Sequence, residues 1–442
     1  MKNPVLVILL IILSIGKNIA QNQSIKDLDL FFDLLEEHNQ FMGSVQLIHN
    51  EEVLYERSIG YSDIESNKKA TAKTLYAIGS ITKTYTATLI LMAIEEGKID
   101  LDTPIDNFFS ELYNADKITI KELLQHRSGI PNITSEQSYL EWNTKRQSRD
   151  DMLNRMKEYT SQFEPGTHFS YSNSNYILLT YILEDLYKLD FAEILKEKIT
   201  DPFGLKNTFF GKPFDTNLDV ASSYLYQGVW EKQLETHYTV PIGAGAIFAT
   251  VSDLNKFSKE LFSGNILSAA SMQHMLDIND GYGMGIITFP FYNMVGYGHS
   301  GGVDGFQSFF GYLPYENIGY NILSNGSRFS INDIGIALLS AATENEIIIP
   351  NFIECQLTEE EQEQYIGVYS SLEIPFKITV GKSNNGLKIQ ATGQPTLELD
   401  CEEEAHTFTY NMAGLKIIFT PEENSFRLFQ SGGDFLFIKS EE

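Results

Sequence analysis

Positive charge is scarce in these 442 residues: 32 lysines and arginines stand against 59 aspartates and glutamates, a formal net charge of −27. So acidic a chain is repelled by nucleic-acid phosphates and by anionic membrane surfaces, and neither is expected as a partner. Cysteine is nearly absent too. Cys355 and Cys401 are the two present, and no Cys/His grouping has zinc spacing, so no metal or other cofactor is implied. His49, His126, His168 and His237 read as structural or exposed rather than as ligands. In an exported protein the two cysteines could form one disulfide; sequence leaves this open, because it does not fix the distance between their Cα atoms. The apolar run Val5 to Leu13 is too short for a bilayer span, which needs about 20 residues. Behind Met1-Lys2 it reads as a secretory signal peptide over residues 1–20, cleaved after Ala20, with no cysteine close behind to accept a lipid. The protein is therefore expected to be exported, periplasmic or extracellular, with no stable membrane span.

What is there falls into two regions. Gly43 to Asn50 and Glu52 to Gly60 alternate polar and apolar residues around Asn50-Glu51 and predict a β-hairpin. Ser80 to Gly97 is apolar nearly all round, as expected of a helix buried in a domain, and Gly97 is placed to cap it. Thr119 and Glu122 form a capping-box pattern ahead of a short helix. Tyr176 to Tyr187 and Phe191 to Ile199 are helical in pattern, stopped by Pro202-Phe203-Gly204. Phe306 to Tyr312 reads as a strand, with Ile318 to Leu323 as its neighbour. Beyond Asn351 the acidic run Glu359-Glu360-Glu361 and the turn Asn384-Asn385-Gly386 accompany short strand-like runs: Phe376–Val380, Leu387–Ala391, Thr407–Tyr410, Leu415–Thr420 and Phe435–Ile438. These predict a small all-β barrel or sandwich. The division expected is a mixed α/β domain over 21–350, an antiparallel sheet flanked by helices plus a helical lobe, followed by a β-barrel domain over 351–442.

The chemistry concentrates at Ser80-Ile81-Thr82-Lys83. Residues three apart on a helix share a face, so the Ser80 hydroxyl and the Lys83 amine can meet. A serine is a weak nucleophile until a base takes its proton, and lysine can be that base only if its pKa falls from ~10.4 toward neutrality. Burial and the positive end of the helix dipole both push it that way. Ser-x-x-Lys recurs by chance, so its company matters: Tyr171-Ser172-Asn173 and His299-Ser300-Gly301.

In order and rough spacing these three motifs resemble those of the penicillin-recognising serine hydrolases, in the branch of class C β-lactamases, DD-carboxypeptidases, D-aminopeptidases and related esterases. The resemblance runs from about Phe41 to Thr343. It includes Leu124 to Pro131, Glu164-Pro165-Gly166-Thr167, Gly243-Ala244-Gly245-Ala246 and Gly281-Tyr282-Gly283-Met284-Gly285. It implies a β-lactamase/transpeptidase-like fold in which Ser80 attacks a carbonyl, Lys83 accepts its proton and Tyr171 shares in proton transfer. Asn173, His299, Ser300 and Gly301 would contact substrate, and the amides of Ser80 and Gly302 would form the oxyanion hole. The third motif should be an edge strand beside the nucleophile. The C-terminal region resembles lipocalin-like modules that follow such domains.

His299 stands where many β-lactamases carry lysine. A neutral imidazole attracts a substrate carboxylate less strongly, which favours D-Ala-D-Ala carboxypeptidase, D-amino-acid peptidase or esterase activity over β-lactam hydrolysis. The expected partner is a small molecule or peptide, with peptidoglycan fragments among the candidates. Two alternatives of other kinds stand beside this. A catalytically silent penicillin-binding or peptidoglycan-sensing protein would use the fold only to bind. Gly298 to Gly302 also matches Gly-x-Ser-x-Gly, the nucleophile elbow of α/β-hydrolases, but that motif requires a helix immediately after it.

Overall fold

The computed structural model describes residues 23–440 except positions 51, 214, 216, 354, 385, 395 and 431. The expected signal peptide lies outside the described residues. Among those described, no helix is long and apolar enough to cross a membrane. Two compact units form, one from residues 42–223 and 233–325, the other from the chain ends and residues 224–232.

The first unit is built on a six-stranded antiparallel sheet. Its order is Ile287–Phe291, Met294–Val303, Phe306–Leu313, Ile318–Ser327, Phe41–His49 and Glu52–Ile59. The predicted hairpin is the last pair, and Phe306–Leu313 and Ile318–Ser327 are neighbours as expected. Ile318–Ser327 is buried at every residue, and its polar side chains are met inside the fold: Asn321 Nδ2 donates to Val251 O at 3.0 Å and Ser324 Oγ to Met42 O at 2.8 Å. The third-motif strand is only half an edge. Ile287–Phe291 pairs with it as far as Gly298, so from His299 onward it is paired on one side alone. The strand runs straight through the motif and turns at Asp304-Gly305 into Phe306–Leu313, so no helix follows and the nucleophile-elbow alternative fails.

The helical lobe is threaded by Thr82–Glu95, which has buried residues on every face. At its end Gly97, with φ +68, lets Lys98 N–H reach Ala93 O while Gly97 N–H reaches Ile94 O, a Schellman stop. Its buried threonines stitch it to distant chain. Thr84 Oγ1 donates to Gly285 O at 2.7 Å, Thr86 Oγ1 donates to Gly243 O at 2.6 Å, and Thr82 Oγ1 accepts from Ile247 N–H at 3.1 Å. The helix Ile120–Leu124 carries the predicted capping box of Thr119 and Glu122. Asn173–Tyr187 is helical, whereas the run from Phe191 is α-helical only to Leu195 and continues as a π-turn over Lys196–Thr200.

In the second unit, nine antiparallel strands form a nearly closed barrel. Seven lie in the order Leu387–Ala391, Lys377–Lys382, Gly367–Ser370, Gly433–Lys439, Ser425–Gln430, Leu415–Thr420, Thr407–Tyr410. The two end strands, Leu397–Glu398 and Asp400–Cys401, are separated by one residue in the chain. Alternate residues of Leu415–Thr420 point inward, onto a core that includes Tyr369, Phe419, Phe426 and Phe437. Cys355 and Cys401 are joined, with Cα atoms 5.3 Å apart. The acidic run forms a short helix, Glu359–Glu363, capped by Thr358.

Candidate active site

Ser80 lies in a 3₁₀ turn, Gly79–Ile81, that feeds directly into Thr82–Glu95. Absent side chains hold this turn in place. Gly79 takes φ +50, and a Cβ on it would stand 2.7 Å from Gly302 N; a Cβ on Gly301 would meet Ile78 O at 2.0 Å. The strand's backbone is thus pressed onto the backbone of the Ser80 turn at a separation that glycine permits and other residues do not. Ser308 Oγ donates to Ile78 O at 2.8 Å and ties the turn from beneath. Gly302 faces open space, and with Ser80 and Asn173 it lines a cavity of about 430 Å³.

Lys83 is fully buried. Its Nζ lies 3.0 Å from Ser80 Oγ, 2.7 Å from Asn173 Oδ1 and 2.7 Å from Ala244 O. Burial holds its pKa well below the usual 10.5. The two closer partners are pure acceptors, so a neutral amine directs its two N–H groups to them and keeps its lone pair for the Ser80 hydroxyl. Both acceptors are held from behind. Asn173 Nδ2 donates to Thr134 Oγ1 at 2.7 Å, Thr134 Oγ1 donates to Asn132 Oδ1 at 3.0 Å, and Asn132 Oδ1 accepts Asn173 N–H at 3.1 Å. Ala244 O is presented by the turn Ile242–Ala244, in which Ile242 takes φ +34, an unfavourable conformation for a β-branched residue.

Tyr171 completes the cluster. Burial of its phenol end pushes its pKa above 10, an effect that nearby Ser80 only partly offsets, although over a third of the residue as a whole is open to solvent. Lys83 Nζ stands 4.9 Å from its ring centre. His126 clasps Tyr171 from both sides along the chain: its carbonyl accepts Ser170 N–H at 2.9 Å and its Nδ1 accepts Ser172 N–H at 3.2 Å. The two rings lie 4.3 Å apart. Burial, then Lys83 and His299, lower the His126 pKa well below 6.5. His126 thus fits the structural reading.

His299 lies elsewhere than its motif suggests. The residue is 3% exposed; Nδ1 lies 2.6 Å from Ser300 O and Nε2 lies 2.9 Å from the Tyr282 hydroxyl. A carbonyl only accepts, so Nδ1 carries the proton and Nε2 accepts from Tyr282. Burial, with Lys83 nearby, pushes its pKa down to about 3, so the ring is neutral and its two nitrogens are engaged. Ser80, Lys83, Tyr171, Asn173 and Gly302 come together; the His299 ring is packed against Tyr282, and neither it, Ser300 nor Gly301 lines the cavity before Ser80. Sequence reasoning did not assign roles to Ala244, Thr134, Asn132 or Tyr282. The glycine-rich stretches around Ala244 and Tyr282 were their visible trace.

A family model described as Beta-lactamase matches residues 29–341. Penicillin-binding protein 4* of Bacillus subtilis (strain 168) is 25% identical over 447 residues, covering 92% of this chain and 97% of that protein. Among solved structures, the octameric penicillin-binding protein homologue from Pyrococcus abyssi aligns with a TM-score of 0.65 at 24% identity, covering 93% of this chain and 99% of that one. The D-amino acid amidase from Ochrobactrum anthropi SV3 gives a TM-score of 0.64 at 24% identity over 73% of this chain and 99% of that one. At these identities the two structures speak for the fold alone.

Proposed function

The chain belongs to the Beta-lactamase family, and on that footing we propose that it is an exported serine hydrolase that forms an acyl-enzyme at Ser80 on D-amino-acid peptides, amides or esters. The observation that carries this reading is the threefold setting of Lys83, which leaves one lone pair, on Ser80, for a buried neutral amine. Ser80 Oγ attacks the carbonyl carbon as its proton passes to Lys83 Nζ. The amides of Ser80 and Gly302 receive the oxyanion. Tyr171, kept protonated by burial, gives its phenolic proton to the leaving group and recovers one from Lys83. Water then enters by the same route in reverse and releases the acid. Asn173 holds Lys83 and offers its amide at the cavity wall.

A second reading, penicillin binding with slow or no turnover, draws support from the relative named a penicillin-binding protein. One experiment addresses both: a fluorophosphonate probe and a labelled penicillin, with the modified peptide identified by mass spectrometry, beside turnover of a D-Ala-D-Ala peptide, a D-amino-acid amide, a short acyl ester and a cephalosporin. Ser80 modified and turnover abolished in Ser80→Ala supports the hydrolase. Ser80 modified by penicillin with no turnover of any substrate leaves the binder. Modification elsewhere removes both.

A further inference from the structure

The described residues lining the cavity before Ser80 include one with a formal charge, Asp304, and no cation. Lys83 stands behind Ser80, with its two N–H groups given to Asn173 Oδ1 and Ala244 O and its lone pair facing the Ser80 hydroxyl. Lys212, which lines the adjoining cleft, is engaged by both carboxylate oxygens of Glu235 at 3.0 and 2.7 Å. A substrate carboxylate therefore finds no counter-charge here, and an ammonium finds one. Asp304 occupies the first position of the two-residue turn after the third-motif strand, with φ +52. Thr236 N–H donates to Oδ2 at 2.8 Å and Thr236 Oγ1 donates to Oδ1 at 2.7 Å. An ionised carboxylate has about four lone-pair sites, so roughly two remain for a ligand. Thr236 lines the same cavity, so this pair of bonds also fixes the carboxylate before substrate arrives.

We propose that Asp304 is an ammonium-binding subsite, so that the acyl part of the substrate carries a free amino group and no carboxylate, as in D-amino-acid amides and peptides with a free N-terminus. This rests on Ser80 being the acylated residue and narrows the substrate class. The bland account is that Asp304 is a turn residue anchoring the Thr236 segment, and the test separates the two. D-alanine p-nitroanilide and its N-acetyl form share a leaving group and differ in the ammonium. Wild type is expected to favour the free amine in kcat/KM by at least about tenfold, the scale of one charge-assisted hydrogen bond. That preference should fade above the amine's pKa of ~8. Asp304→Asn should collapse the ratio, whereas Thr236→Val, which removes one bond to the carboxylate and keeps its charge, should retain it. A ratio unmoved by Asp304→Asn, or a wild-type preference for the N-acetyl form, overturns the proposal. If neither anilide turns over, protection of Ser80 from the fluorophosphonate by D-alaninamide gives the same comparison, and equal protection in wild type and Asp304→Asn overturns it. Absence of Ser80 labelling in unprotected wild type is a different failure, that of the acyl-enzyme reading beneath.

Discussion

If His299 is neutral when folded, replacing it changes how many protons the chain takes up on unfolding. The ring is packed against Tyr282, with Lys83 and His126 as its charged or titratable neighbours, and its pKa is pushed down to about 3. In the unfolded chain it returns to ~6.5. At pH 5 the folded ring holds roughly 0.01 proton and the unfolded ring roughly 0.97, so unfolding draws in about one proton at this residue. The unfolded state binds more, so stability rises with pH across the window from about 3 to ~6.5 and is lost as pH falls through it. The cost is about 2 kcal/mol at pH 5 and on the order of 5 kcal/mol at the bottom of the window. His299→Gln keeps a polar partner for Tyr282 and removes the titration. Proton uptake during guanidinium unfolding, followed with an indicator in weakly buffered solution at pH 5, should be about one proton larger for wild type. His126 contributes with the same sign to both proteins and cancels. A difference under about 0.3 proton would mean that His299 titrates in the fold as it does in water. The reasoning that it offers no cation to a carboxylate substrate would then fail.

Ser80→Ala should abolish turnover of any acyl substrate; activity at the wild-type level would place the nucleophile elsewhere. Lys83→Ala should lower kcat roughly 10²–10⁴-fold, and Lys83→Arg should fare no better because guanidinium stays protonated; single-turnover kinetics with an activated ester would check both. Thr134→Val breaks the relay behind Asn173 and should cost kcat about tenfold, one hydrogen bond's worth, with KM little changed. In wild type kcat/KM should rise with pH well below 10.5, as the depressed Lys83 loses its proton; a limb at the ordinary lysine value would refute the buried neutral base. Replacing Cys355 and Cys401 with serine opens a loop of sequence separation 46 and should destabilise the barrel by about 2–4 kcal/mol, measured by calorimetry, while Ser80 still takes the probe.

Local pattern made much of the fold legible. The helix from Ser80, the Asn50 hairpin and the barrel strands Leu387–Ala391, Thr407–Tyr410 and Leu415–Thr420 each advertise themselves by periodicity or by the residues that end them. The two-residue strands Leu397–Glu398 and Asp400–Cys401 are too short for any period to show. Ser80 and Lys83 were visible as a pair because one turn of helix joins them. Ala244 O was not, because it reaches Lys83 from 161 positions away and is a carbonyl that every residue possesses. The direction of the His299 ring escaped notice for a related reason: alternation along a strand gives two faces, and nothing in His-Ser-Gly says which one Tyr282 waits on.

The close approach of Gly79 and Gly301 has a consequence for how this site can be mapped and altered. The spacing between the Ser80 amide and that of Gly302 is set by atoms that are missing, so no side chain carries the information. Scanning mutagenesis, which works by removing atoms, cannot subtract anything there and can only add. Every substitution at these two positions would register as damage to the fold, and the geometry of the two amides proposed to receive the oxyanion would stay hidden among stability defects. Probing the pair calls for a change in the backbone itself, such as an amide-to-ester replacement at Gly302, which withdraws one donor without adding a side chain at either glycine.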